Sequence, residues 1–138
     1  SNMNREILFR GKRKNGQWVY GSLVLSENID PAIYYESAGG LVKRLDWCYV
    51  SPESIGQYTG LKDRNGKKIF EGDIVHIKGD GFDGKEVGVD YHRVVTFHDG
   101  TLCLSVGEVL RTPIIEYCHG LEDWDVVGNV TDNPELMK

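Results

Sequence analysis

Three cysteines and four histidines are the side chains of this 138-residue chain best suited to metal or nucleophile chemistry, and their spacing serves neither. Cys48, Cys103 and Cys118 form no C-x-x-C pair, and an odd number cannot be fully paired within one chain, so free buried thiols in a reducing compartment are expected. Zinc could draw on Cys118-His119 with His92 or His98, but adjacent residues seldom both reach one ion and no flanking ligand pair supports them. Neither a metal nor another cofactor is expected. Ser51, Ser54 and Ser105 stand outside any G-x-S-x-G context, and the histidines are scattered among strand-like segments, so no triad suggests itself. Glu71 and Asp73 could act as acid and base, yet that work needs a cleft and shifted pKa values; a turn built on Gly72, with Asp73 bonding nearby backbone donors, is the simpler reading. The stretch Ile55–Gly60, with Gly56, Gln57, Tyr58 and Gly60, could cradle a phosphate but lacks the Lys-Ser/Thr of a P-loop and a following helix. A tight bend is expected there. These residues assign no catalytic group, and no enzyme is expected.

Binding chemistry has more to draw on. Arg10, Lys12, Arg13 and Lys14 make a compact basic run beside Phe9 and Trp18, a composition suited to phosphate and base contacts. The overall pI near 5.3 opposes it, since most of the surface would repel phosphate. Charge is also unevenly placed: residues 1–69 carry 11 Lys/Arg and 7 Asp/Glu, whereas residues 70–138 carry 5 and 14. Opposite halves can orient one copy against another, or can vanish as an asymmetry when folding intermixes them; together with the exposed edges of an incompletely closed barrel they lead to the expectation of a homo-oligomer. Trp18, Tyr20, Trp47, Tyr49, Tyr58 and Trp124 are expected mostly in the core, with one or two lining a groove.

The elements that must position these residues read as strands. Ile7–Arg10 and Trp18–Tyr20 flank Lys14-Asn15-Gly16-Gln17, and Leu61 and Ile69-Phe70 flank Asp63-Arg64-Asn65-Gly66. Both Asn-Gly pairs, like Asp99-Gly100, suit type I′ hairpin turns. Alternation marks Ile74–Lys78 as a half-buried strand, with further strands at Trp47–Val50, Val94–His98, Leu102–Val106 and Trp124–Val130. Short helices fit only Asp30–Ser37, Ser51–Gln57, where Ser51 would cap and Pro52 start the turn, and the tail from Asn133. Gly128-Asn129 reads as a kink in the closing strand. Lys78–Tyr91, with four glycines, reads as a loop. Ser1-Asn2 ahead of Met3 looks like the remnant of an expression tag, leaving a single domain at residues 3–138. No apolar run approaches the roughly 18 residues of a membrane span, so no membrane contact and a cytoplasmic location are expected.

The run Ile55-Gly56-Gln57-Tyr58-Thr59-Gly60-Leu61-Lys62-Asp63-Arg64-Asn65-Gly66-Lys67-Lys68-Ile69-Phe70-Glu71-Gly72-Asp73-Ile74-Val75 resembles the central motif of the YopX family of phage and prophage proteins. Arg5–Arg10 with Trp18–Gly21 is similar to that family's opening block, and Val126–Met137, with Gly128 and Asn129, to its closing block. The resemblance implies a mainly β fold with a small SH3-like barrel, additional hairpins and little helix, in a bacterial host cell, with no established biochemical activity. Gly56, Gln57, Tyr58, Gly60, Asn65, Gly66, Gly72, Asp73, Gly128 and Asn129 are its motif residues, and turn chemistry accounts for them as structural. Residues 25–46 and 79–93 match no family block and are where member-specific contacts are expected. The function that follows is a non-enzymatic module binding an unidentified protein partner, with weak nucleic-acid binding by a small barrel as the alternative.

Overall fold

The computed structural model describes residues 5–37, 39–78, 88, 90–107, 110–114 and 124–137. The chain divides into two compact units, residues 1–58 and 59–138. Cys118 and His119, and residues 79–87 and 89 of the expected loop, lie outside the described residues, while Lys78, Asp90 and Tyr91 at its ends belong to strands.

In the first unit, β1 (Phe9–Lys12), β2 (Trp18–Ser26), β3 (Ile29–Glu36), β4 (Leu45–Tyr49) and the start of β5 (Gly56–Lys62) form an antiparallel sheet in the order β4-β3-β2-β1-β5. The expected helix at Asp30–Ser37 is strand β3. Ile33 is fully buried, Tyr34 and Tyr35 fall on opposite faces, and the strand pairs on both sides, with β2 and with β4. A β-rich run with Pro31 near its start is better satisfied by two ladders than by an isolated helix turn. Val19, Ile33, Cys48 and Val50 make the core, with Leu23, Tyr35 and Ile55 packed against it. Close approach explains two glycines. A Cβ on Gly21 would run into the Tyr34 carbonyl, and one on Gly11 would lie 2.7 Å from Val50.

The expected helix near Ser51 shrinks to one 3₁₀ turn, Pro52–Ser54, with no side-chain cap from Ser51. Ser54 supplies the chemistry instead: its hydroxyl donates to the Ser51 carbonyl at 2.6 Å and accepts the Lys12 amide at 2.7 Å. The bend expected at Ile55–Gly60 is also corrected, because Gly56 begins strand β5 and only Gly60, at φ +87°, departs locally from extended backbone.

In the second unit, the end of β5 leads through a turn into β6 (Lys68–Phe70). There β7 (Asp73–Lys78), β8 (Asp90–His98), β9 (Thr101–Val106), β10 (Leu110–Pro113) and β11 (Asp125–Asn129) form a sheet in the order β10-β9-β8-β7-β11. Ile69, Val75, Ile77, Tyr91, Val95, Leu104 and Trp124 fill its core. The Asn133 tail forms a 3₁₀ turn, Pro134–Met137. The described pairings are antiparallel and the class is mainly β, as expected; the sheets are open, and SH3-like closure is not among the described pairings.

Candidate interaction face

Period-2 geometry decides which side chains of the first sheet share a face. Cross-strand partners lie on the same side, so the register Trp47↔Tyr34↔Ser22, with Glu36↔Leu45 and Tyr20↔Arg10, sorts the residues. Val19, Leu23, Ile33, Tyr35 and Cys48 turn to the core. Trp18, Tyr20, Val24, Tyr34, Leu45, Trp47 and Tyr49 occupy the other face. Leu45 is 71% exposed, Trp47 50% and Tyr49 48%. The Trp47 ring lies nearly parallel to Tyr34 at 6.2 Å between centroids and edge-on to Tyr49 at 5.0 Å. Most of the aromatic set was expected inside; Tyr58 and Trp124 are buried, while Tyr20, Trp47 and Tyr49 are exposed. The signal was present in the sequence as aromatic pairs two apart, Trp18/Tyr20 and Trp47/Tyr49, each enclosing a core residue, Val19 or Cys48.

The basic run does not form a uniform solvent patch. Arg10 is only 6% exposed, with its guanidinium 4.9 Å above the Trp18 ring, and the Lys12 ammonium lies 6.0 Å from the same ring. Both cations are drawn to the indole face by its quadrupole. Arg13 donates to the Gln17 side chain at 3.3 Å, and Lys14 stands exposed in the turn. A cleft of about 420 Å³ opens here, with Arg13, Gln17, Trp18, Tyr20 and Glu36 among its walls. Burial pushes the Cys48 thiol up, against the pull of Arg13.

The motif residues of the second unit organise backbone. The Asp63 carboxylate accepts the amides of Asn65 and Lys67 at 2.9 Å through Oδ1 and of Val126 at 3.0 Å through Oδ2. Burial alone would raise its pKa, but the three amides, from Val126, Lys67 and Asn65, together with the Lys67 charge, outweigh it and hold Asp63 below the usual carboxylate range. Gly72, at φ +89°, lets Asp73 accept the Phe70 amide at 2.7 Å, while its own amide donates to Val95 and its carbonyl accepts from Val130. Gly128 marks a register shift in β11, and a Cβ there would meet Asn133 Oδ1 at 2.5 Å. Asn129 accepts the amides of Thr131 and Asp132 with its side chain.

His76 lies between carboxylates, with Nε2 3.3 Å from Asp90 and Nδ1 3.9 Å from Asp125; Asp125 also accepts from Arg64 at 2.7 Å and Asn65 at 3.0 Å. With both ring nitrogens turned to acidic neighbours, the cluster ties strands together. Among the described residues, no group of three or more His, Cys, Asp or Glu is placed to hold a metal ion.

An all-β chain of antiparallel sheets, with turn residues at Asp63–Gly66, Gly72-Asp73 and Gly128-Asn129, defines the class. The chain belongs to the YopX family, described as "YopX protein", which it matches over residues 8–138. Among solved structures it is similar to protein EF1440 from Enterococcus faecalis, with a TM-score of 0.60 at 20% identity over 98% of this chain and 100% of that one. It is also similar to protein yopX from Bacillus subtilis, with a TM-score of 0.55 at 25% identity over 95% of each chain. No curated protein matches the chain.

Proposed function

We propose that this chain is a non-enzymatic interaction module of phage or prophage origin, acting in the bacterial cytoplasm by holding a protein partner against the outer face of its first sheet. The observation that carries this reading is the exposed row Leu45, Trp47 and Tyr49, continued through half-buried Tyr34 to exposed Val24 and Tyr20. Contiguous apolar surface of this kind costs solubility when left to water and marks interaction sites. Trp and Tyr also dominate binding energy in protein interfaces. The YopX resemblance supports the phage setting.

Nucleic acid is the second reading, resting on the cleft beside Trp18. Arg10 and Lys12 already face the indole, which leaves Arg13 and Lys14 as the outward cations and limits the phosphate contacts available.

The test is affinity capture from infected host cells, with and without nuclease, comparing wild type with Tyr20→Lys/Val24→Lys. Both substitutions lie on β2, within the face and two strands from its edge. A protein partner retained through nuclease and lost with the variant supports the reading. Partners that ignore the substitution, or vanish with nuclease, reject it.

A further inference from the structure

Strand β4 ends the first sheet, and its hydrogen-bonding phase determines what it offers. The Ser37 amide donates to the Arg44 carbonyl and the Val50 amide to the Pro31 carbonyl, each between residues directly opposite in the β3–β4 register. In an antiparallel ladder hydrogen-bonded and non-bonded pairs alternate, so Arg44, Asp46, Cys48 and Val50 spend their main-chain groups on β3. Leu45, Trp47 and Tyr49 therefore turn their amides and carbonyls to the open edge. The same three residues carry the exposed apolar side chains. Among the described residues nothing pairs with that edge, so one short strand presents open backbone and exposed apolar surface together, the combination that recruits another strand.

We infer that the occupant of this edge is a second copy of the chain, docked as an antiparallel β4–β4 pair about a two-fold axis at Trp47. This rests on the binding role proposed for the face and specifies its partner. Centring the pair on Trp47 sets Leu45 opposite the partner's Tyr49, Trp47 opposite the partner's Trp47, and Tyr49 opposite the partner's Leu45. All three pairs have outward main-chain groups, so six backbone hydrogen bonds form. Charge fits as well: Asp46 falls opposite the partner's Cys48, Arg44 opposite the partner's Val50 and Lys43 opposite the partner's Ser51, so no like charges meet. A two-fold contact requires such self-complementarity. The aromatic row then runs unbroken from Tyr34 through both Trp47 rings to the partner's Tyr34. An edge contact this short buries roughly 1,000 Å² in all, near the lower limit for a specific interface, so the dimer should be concentration-dependent.

A charge-swap pair tests the register itself. Leu45→Glu/Tyr49→Glu places two carboxylate pairs across the axis, and Leu45→Lys/Tyr49→Lys two ammonium pairs, so each variant alone should run as a monomer of about 15.6 kDa by light scattering coupled to size exclusion. Mixed in equal amounts, they should recover the doubled mass that wild type shows at high concentration, which also demonstrates that both are folded. A wild-type chain that remains monomeric at every concentration overturns the inference. So does a doubled mass in either variant alone, or a mixture of variants that fails to associate. Capture of a partner that depends on Tyr20 and Val24 is read separately, so the dimer can fail while the binding role stands.

Discussion

Asp63 illustrates how a charged residue of the family motif serves structure. Its carboxylate accepts three backbone amides, one of them from Val126, more than sixty residues away in sequence. Its folded pKa lies below the usual value, so the ionised form is the one folding favours. That contribution is complete above the unfolded carboxylate pKa of about 4 and is lost as pH falls through the depressed folded value. Asp63→Asn keeps one acceptor oxygen but turns an NH₂ toward an amide donor, and should cost about 2–3 kcal/mol at pH 7 in urea unfolding. The gap from wild type should close as the pH drops below that folded value. An undiminished gap in acid would show that the charge is irrelevant. The sequence made Asp63 visible as a turn residue. Its bond to Val126 was not legible, because nothing local ties residue 63 to β11. The same limit hid the outer face: alternation marked Trp47 and Tyr49 as sharing a side, but which side meets the core depends on Ile33 and Val19 arriving from other strands.

At the level of elements, the hairpins were legible and their turn types only partly so. Asp99 and Gly100 both have positive φ, 51° and 79°, as a type I′ turn requires. At Asn15-Gly16 only the glycine does; the Gly16 amide donates to the Arg13 carbonyl and the Arg13 amide to the Gln17 carbonyl, the pattern of a type I turn followed by a glycine bulge. Asp63–Lys67 repeats it. Gly16→Ala should therefore cost about 1 kcal/mol or more through its φ of +90°, whereas Asn15→Ala should lose only the bond its Oδ1 accepts from the Gln17 amide, about 0.5 kcal/mol. Equal costs in denaturant melts would restore the type I′ assignment. Strand β3 is hidden in the sequence because Asp30 and Pro31 imitate a helix start, while the partners that make it a strand, β2 and β4, are themselves distant or ambiguous in the sequence. Strand β5 is hidden because its glycines look like a bend, although of the two only Gly60 has a positive φ.

Over the whole molecule, electrostatics argues against a general phosphate-binding surface. Residues 1–58 carry 7 Lys/Arg and 6 Asp/Glu, and residues 59–138 carry 9 and 15. Any affinity for single- or double-stranded nucleic acid should be weak, salt-sensitive and confined to the first hairpin. On duplex DNA, Lys12→Ala/Arg13→Ala/Lys14→Ala should lower the salt slope by roughly 2, for the two outward cations Arg13 and Lys14, and abolish detectable binding; tight binding that survives the triple change would place the contact elsewhere. No helix among the described residues is long and apolar enough to cross a membrane. The pairing of β11 with β7 also bears on time. Asp125 sits opposite His76 and Asn129 opposite Asp73, so the ladder joins segments about fifty residues apart. Each such closure must spend chain entropy before any contact repays it, and sheets assembled this way reach the native state in milliseconds to seconds rather than microseconds. On the ribosome, at about 5–20 residues per second, β7 emerges seconds before β11 exists, so the edge that β11 will cover stands bare through that interval.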